Sequence, residues 1–142
     1  MNLLNKLQVV INSEARLVCY SKTAEHITPL LRDLHWLRIR ERITFKLCVM
    51  TFRCQHNQAP AYLSDQLQQV SQVESRRRLR SSSTSSLVVP VTRRSTLGDR
   101  VFPVSADGAW NSLPSTITAA ASTLSSLRRA LKTHLFTVSF PS

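Results

Sequence analysis

The segment RIRERITFKLCVMTFRCQH, from Arg38 to His56, does most to limit what this chain can fold into. Advancing about 100° per residue from Arg38, the residues Ile39, Ile43, Leu47, Met50 and Cys54 gather between about 100° and 180°. On the same wheel Phe45, Cys48 and Phe52 gather between about 280° and 340°. A helix that is apolar on two sides has to be covered on both, so the segment predicts a helix packed between neighbours, with Leu47 at its centre. Arg38, Arg42, Lys46 and Arg53 fall between those sides, with Val49 among them. That basic ridge reads equally well as a nucleic-acid contact and as a solvated face.

Other helices flank this one. Leu3, Leu7, Val10, Ile11, Leu17 and Val18 recur at helical spacing. Thr28-Pro29 predicts a helix start, with Thr28 as cap and Pro29 in the first turn. Pro60 opens a short helix with Tyr62, Leu63, Leu67 and Val70 turned inward. Leu124, Leu127, Leu131 and Leu135 form the stripe of a last helix starting near Ser122 or Thr123, with Arg128, Arg129 and Lys132 on its wet side. Leu87–Val91 and Arg100–Val104 predict two short strands, placed at an edge by Pro90 and Pro103. The expected fold is mainly α, with four to five helices and one small irregular β-hairpin in the C-terminal half. Residues 1–72 form a helical region, 73–86 a basic Ser/Thr-rich linker, and 87–142 a small unit with the hairpin and the terminal helix.

The chain has only two glycines, Gly98 and Gly108, so a glycine-rich phosphate loop is excluded. Its eight acids are spread singly, whereas two-metal catalysis needs clustered carboxylates. Cys48 and Cys54 lie six residues apart and point to different helix faces, which does not make a zinc site with His56. The three cysteines, Cys19, Cys48 and Cys54, read as reduced thiols of an intracellular protein. Trp36, Tyr62 and Trp110 read as core anchors and not as stacking platforms for bases. No catalytic site, metal or cofactor is expected. No stretch of 18 apolar residues exists, so no membrane span is expected, and the N-terminus has no secretory pattern.

Positive charge remains. Lysine and arginine number 19 against 8 acids, a net charge of +11. Residues 76–100 hold seven of those cations and one acid. Arg76, Arg77, Arg78 and Arg80 precede a run of six serines and threonines, and Arg93 and Arg94 follow in the next turn. Such density suits phosphate contact with release of counterions, and it suits backbone binding better than sequence readout. The candidate nucleic-acid-binding residues are therefore Arg76, Arg77, Arg78, Arg80, Arg93 and Arg94, with Arg42, Lys46 and Arg53 on the helix ridge.

Several strings occur together in a telling order. KLQVVINSEARLV (Lys6 to Val18) precedes HITPLLRDLHWLRIRERITFKLCVMTFRC (His26 to Cys54), which precedes APAYLSDQL (Ala59 to Leu67). RRLRSSSTSSLVVP, GDRVFPVSADGAWNSLP (Gly98 to Pro114) and SSLRRALKTHLF (Ser125 to Phe136) follow. The most specific are Leu34-His35-Trp36-Leu37 and Trp110-Asn111-Ser112-Leu113-Pro114. This order resembles the C-terminal region of LINE-type (non-LTR, jockey-like) retrotransposon reverse-transcriptase polyproteins, over nearly the whole chain. The resemblance implies an RNA-directed DNA polymerase as parent, with its catalytic aspartates in a palm region upstream of this sequence. It makes the chain a non-catalytic tail that contacts RNA or DNA backbone and the parent polymerase domain, in the nucleus. A purely structural support for that domain, or a basic protein adopted by its host, are the alternatives. Departures from the family pattern are Arg38 in place of proline, Glu14 in place of a small residue, and Asp107-Gly108 ahead of Trp110.

Overall fold

The computed structural model describes residues 2–69, 86–91, 98 and 101–141. Among them are seven helices: α1 (Leu3–Val18), α2 (Ile27–Asp33), α3 (Ile39–Gln55), α4 (Ala61–Ser64), α5 (Phe102–Asn111), α6 (Ser115–Ala120) and α7 (Leu124–Ser139). The mainly α expectation holds, with more helices than the four or five expected. No described helix is long and apolar enough to cross a membrane. Most of the expected linker, and with it the arginine block, lies outside the described residues.

The chain forms two compact units, one from residues 1–45 with 131–142 and the other from 46–130. In the first, α1 packs on α2. Ile11 and Ala15, one turn apart on α1, are buried with Leu31 and Phe140. Ile27, Leu34, Trp36, Ile39 and Phe136 close around them. The rest of the apolar pattern read from α1 is not core: Leu3, Leu7, Val10, Leu17 and Val18 are all exposed. Gln8 joins α1 to α3, because its Oε1 accepts from the backbone N–H of Ile39 at 2.8 Å and satisfies a donor that the start of α3 leaves free.

Helix ends are made without glycine. Tyr20, His35 and Asn57 follow α1, α2 and α3 with φ near 52°, 54° and 55°. In each case the next residue's N–H reaches back to a helix carbonyl: Ser21 to Arg16 at 3.0 Å, Trp36 to Leu31 at 2.8 Å, Gln58 to Arg53 at 2.8 Å. These are three Schellman closures with an L-residue at the left-handed position, where glycine is the usual occupant. Two starts differ from expectation or match it. The N-cap of α2 is His26, so Thr28 lies inside the helix, where its hydroxyl accepts from Arg38 at 3.5 Å, while Pro29 does lie in the first turn. Thr123 caps α7: Ser126 N–H donates to Thr123 Oγ1 at 3.2 Å, and Thr123 N–H donates to Ser126 Oγ at 3.1 Å. That is a reciprocal capping box with serine in the place of glutamate.

In the second unit the buried positions of α3 are Cys48, Thr51, Phe52 and Cys54. Leu47 is only half-buried, which moves the centre of this helix by one residue. Thr51 is tolerated there because its hydroxyl donates to the Leu47 carbonyl at 2.9 Å. Tyr62, expected inside, is 67% exposed.

The β-hairpin is absent among the described residues. Phe102–Asn111 is helical with Pro103 in its first turn, a position where the missing N–H costs nothing. Ala106, Trp110, Leu113 and Ile117 are buried at spacings of four, three and four, which carries the core face through α5 and into α6. Residues 86–91 form no strand; Leu87 makes one isolated antiparallel bridge to Gln69. The rest of its pairing comes from a side chain. Leu87 N–H donates to Asn111 Oδ1 at 2.9 Å, and Asn111 Nδ2 donates to the Leu87 carbonyl at 2.8 Å. One amide thus supplies both bonds that a neighbouring strand would have made.

Candidate nucleic-acid interface

The expected binding residues divide sharply. Arg76, Arg77, Arg78, Arg80, Arg93 and Arg94 lie outside the described residues. Arg42, Lys46 and Arg53 lie on α3, as the pattern predicts, but not as one exposed ridge. Lys46 is exposed, whereas Arg42 and Arg53 are half-buried.

Burial of Arg42 has a specific cause. Its guanidinium lies over the Trp36 ring, 5.7 Å from the centroid. Two further arginines sit over a second aromatic ring of the same unit. Arg38 lies 5.4 Å and Arg32 5.9 Å from the centre of Phe140. Phe140 itself is buried, and Phe136 tilts against it at 4.9 Å. His35 stacks on Phe136 at 5.6 Å. The string Leu34-His35-Trp36-Leu37 therefore does three things at once: it turns the chain between α2 and α3, supplies the ring under Arg42, and covers the core.

A guanidinium on a ring face is held in place by the ring's quadrupole and by stacking, which leaves N–H edges to fork onto a phosphate, although Arg38 spends one on the Thr28 hydroxyl. None of the three arginines is ion-paired to a carboxylate among the described residues. The arrangement is a preorganised cationic cluster on an aromatic base. Arg32 had no signal in the helical wheel of α3, and its nearness to Arg38 depends on Phe140, which is more than 100 residues away in the chain.

Burial pushes the Cys48 thiol up to about 12. It also raises that of Cys54, against a smaller opposing contribution from the Ser64 side chain. Neither is a thiolate near neutral pH, as a nucleophile must be. His56 stacks on Phe52 at 3.8 Å, and its Nδ1 lies 2.9 Å from the Phe52 carbonyl. No group of three or more His, Cys, Asp or Glu side chains is placed to hold a metal among the described residues. A cavity of about 490 Å³ near the end of α3 has amides in its lining, among them Gln55, Asn57 and Gln68, together with Asp65, Leu67 and Leu87. Asp107 stands apart: it is fully buried, neither carboxylate oxygen has a hydrogen-bond partner among the described residues, and burial lifts its pKa from 3.8 to about 7.

Compared with known proteins, the chain matches no family model, no curated protein and no solved structure.

Proposed function

We propose that this chain is a non-catalytic nucleic-acid-binding module, the C-terminal part of a LINE-type retrotransposon RNA-directed DNA polymerase, acting in the nucleus. The observation that carries the binding half of this reading is the cluster of Arg32, Arg38 and Arg42 over Phe140 and Trp36, in a chain of net charge +11. The retroelement half rests on the ordered strings of the sequence. Arg76, Arg77, Arg78 and Arg80 add a second cationic block, and Arg93 and Arg94 a third. Contacts of this kind hold phosphate and do not read bases, so binding is tolerant of sequence.

Fluorescence anisotropy with a labelled oligonucleotide, across a salt series, tests the reading. Replacing Arg32, Arg38 and Arg42 by glutamine removes three cations and should flatten the slope of log affinity against log salt on duplex by about 2.7, at about 0.9 per phosphate. Replacing the four arginines of the block by glutamine should flatten it by about 3.6 on the same basis. A parent chain that does not bind at physiological salt would return the module to the purely structural alternative. Binding whose slope neither variant changes would move the interface to Lys46 and Arg53.

A further inference from the structure

One face of α1 is largely apolar and exposed among the described residues. Ile11 and Ala15 turn into the core, while Leu3, Leu7, Val10, Leu17 and Val18 line an adjoining side of the same helix. Leu3 is 68% and Leu17 78% exposed. Single exposed leucines are ordinary; five apolar side chains in one stripe of a sixteen-residue helix mark an interaction surface.

We propose that this stripe pairs with the same stripe of a second copy of the chain, antiparallel, about a two-fold axis beside Val10. The charges choose the occupant and the direction. A two-fold contact must be self-complementary, residue i meeting j and j meeting i. Leu3 and Leu17 are equidistant from Val10, and so are Lys6 and Glu14. The antiparallel pair therefore sets Leu3 on the partner's Leu17, Lys6 on the partner's Glu14, and Val10 on the axis, with each outer contact made twice. A parallel pair would set Lys6 on lysine and Glu14 on glutamate. At the far end, a cavity of about 320 Å³ beside Leu17, lined also by Ser13, Arg16 and Tyr20, gives the partner's Leu3 a place to enter. Glu14, which departs from the small residue of the resembled family, becomes the acid that fixes the register. Net charge opposes the association at low salt, so it belongs at physiological ionic strength, where charges more than about 8 Å apart are largely screened.

Analytical ultracentrifugation of the nucleic-acid-free chain over a concentration series is the experiment. The mass should rise with concentration from the monomer's 16.1 kDa toward twice that value. Val10→Glu should stay monomeric throughout with an unchanged helical circular-dichroism spectrum, since Val10 is exposed in the monomer. Lys6→Glu should weaken association at least about tenfold, and Lys6→Glu combined with Glu14→Lys should recover it. A parent chain that stays monomeric overturns the proposal, whether or not it sediments with anionic vesicles. So does a Val10→Glu dimer, or a double reversal that fails to restore what the single one lost. Nucleic-acid binding by the arginine cluster does not enter any of these outcomes.

Discussion

Asp107 carries a carboxylate into a buried position where no described residue offers it a hydrogen bond. Its folded-state pKa of about 7 against 3.8 means that folding favours the protonated acid. The folded state therefore holds the proton over a window in which the unfolded state has released it. Stability is greatest below the unfolded value, falls as pH rises from about 4 to about 7, and is then flat. At about 1.4 kcal/mol per pH unit, the ionised form costs at most about 4 kcal/mol. Asp107→Ala should be more stable than the parent at pH 8, and the difference should shrink toward zero by pH 4 in urea titrations at the two pH values. A second residue-scale strain sits at Tyr20, whose φ of 52° costs an L-residue about 1–2 kcal/mol. Its ring is 96% exposed, so Tyr20→Gly loses no packing and should raise stability by about 1 kcal/mol in the same assay. Neither residue was legible as strained. A lone Asp among small residues looks like surface, and helix ends are normally read from glycine. With two glycines in the chain, the stops at Tyr20, His35 and Asn57 carried no such mark. The caps that do follow local rules, Pro29 in a first turn and Thr123 ahead of Ser126, were readable to within a residue or two.

The elements divide in the same way. α3 and α7 were legible because long apolar periodicity outweighs local ambiguity, and Leu127, Leu131 and Leu135 are buried as their spacing requires. α5 was misread because RVFPV is short, β-branched and interrupted by proline, which are strand-edge signals. The longer pattern Ala106, Trp110, Leu113 and Ile117 was helical, and Pro103 marked a first turn. Leu87–Val91 is not the strand its β-branched run suggests: Leu87 makes one isolated bridge and pairs with the Asn111 side chain, and no local pattern announces that an asparagine 24 residues on will stand in for a strand. Asn111→Ala removes both bonds and leaves a buried N–H and C=O unpaired, at about 1–3 kcal/mol. Asn111→Asp keeps the acceptor and loses the donor, so it should destabilise as well, and more at neutral pH than in acid. Thermal melts of the two variants check the order. Gly108 lies inside α5 with nothing within 4 Å of where a Cβ would go. Gly108→Ala should therefore add about 0.5–1 kcal/mol, the helix-interior difference between the two residues.

Charge governs the whole molecule. A net +11 on 142 residues repels itself, and that repulsion is strongest where counterions are few. Arg32, Arg38 and Arg42 are gathered by aromatic rings within one unit, so part of the repulsion is built into the folded state and is not a property of the extended chain. Its legibility from sequence was correspondingly partial: the excess of cations was plain, while the cluster needed Phe140 to be brought beside Arg32 and Arg38. Two opposite salt effects follow. Without nucleic acid, added salt screens the like charges and should raise the melting temperature. With an oligonucleotide at about one hundred times its dissociation constant, the folded state gains about 2.7 kcal/mol at low salt. Added salt then weakens binding through the counterions that each phosphate contact had released, so the melting temperature should fall toward that of the free chain. The two melting curves plotted against salt should converge from opposite sides, and the Arg32, Arg38, Arg42 glutamine variant should converge from a smaller separation. Differential scanning fluorimetry over a salt series, with and without oligonucleotide, gives both curves on one sample. Curves that coincide at every salt concentration would mean that the folded chain gains nothing from nucleic acid, which returns it to the purely structural alternative.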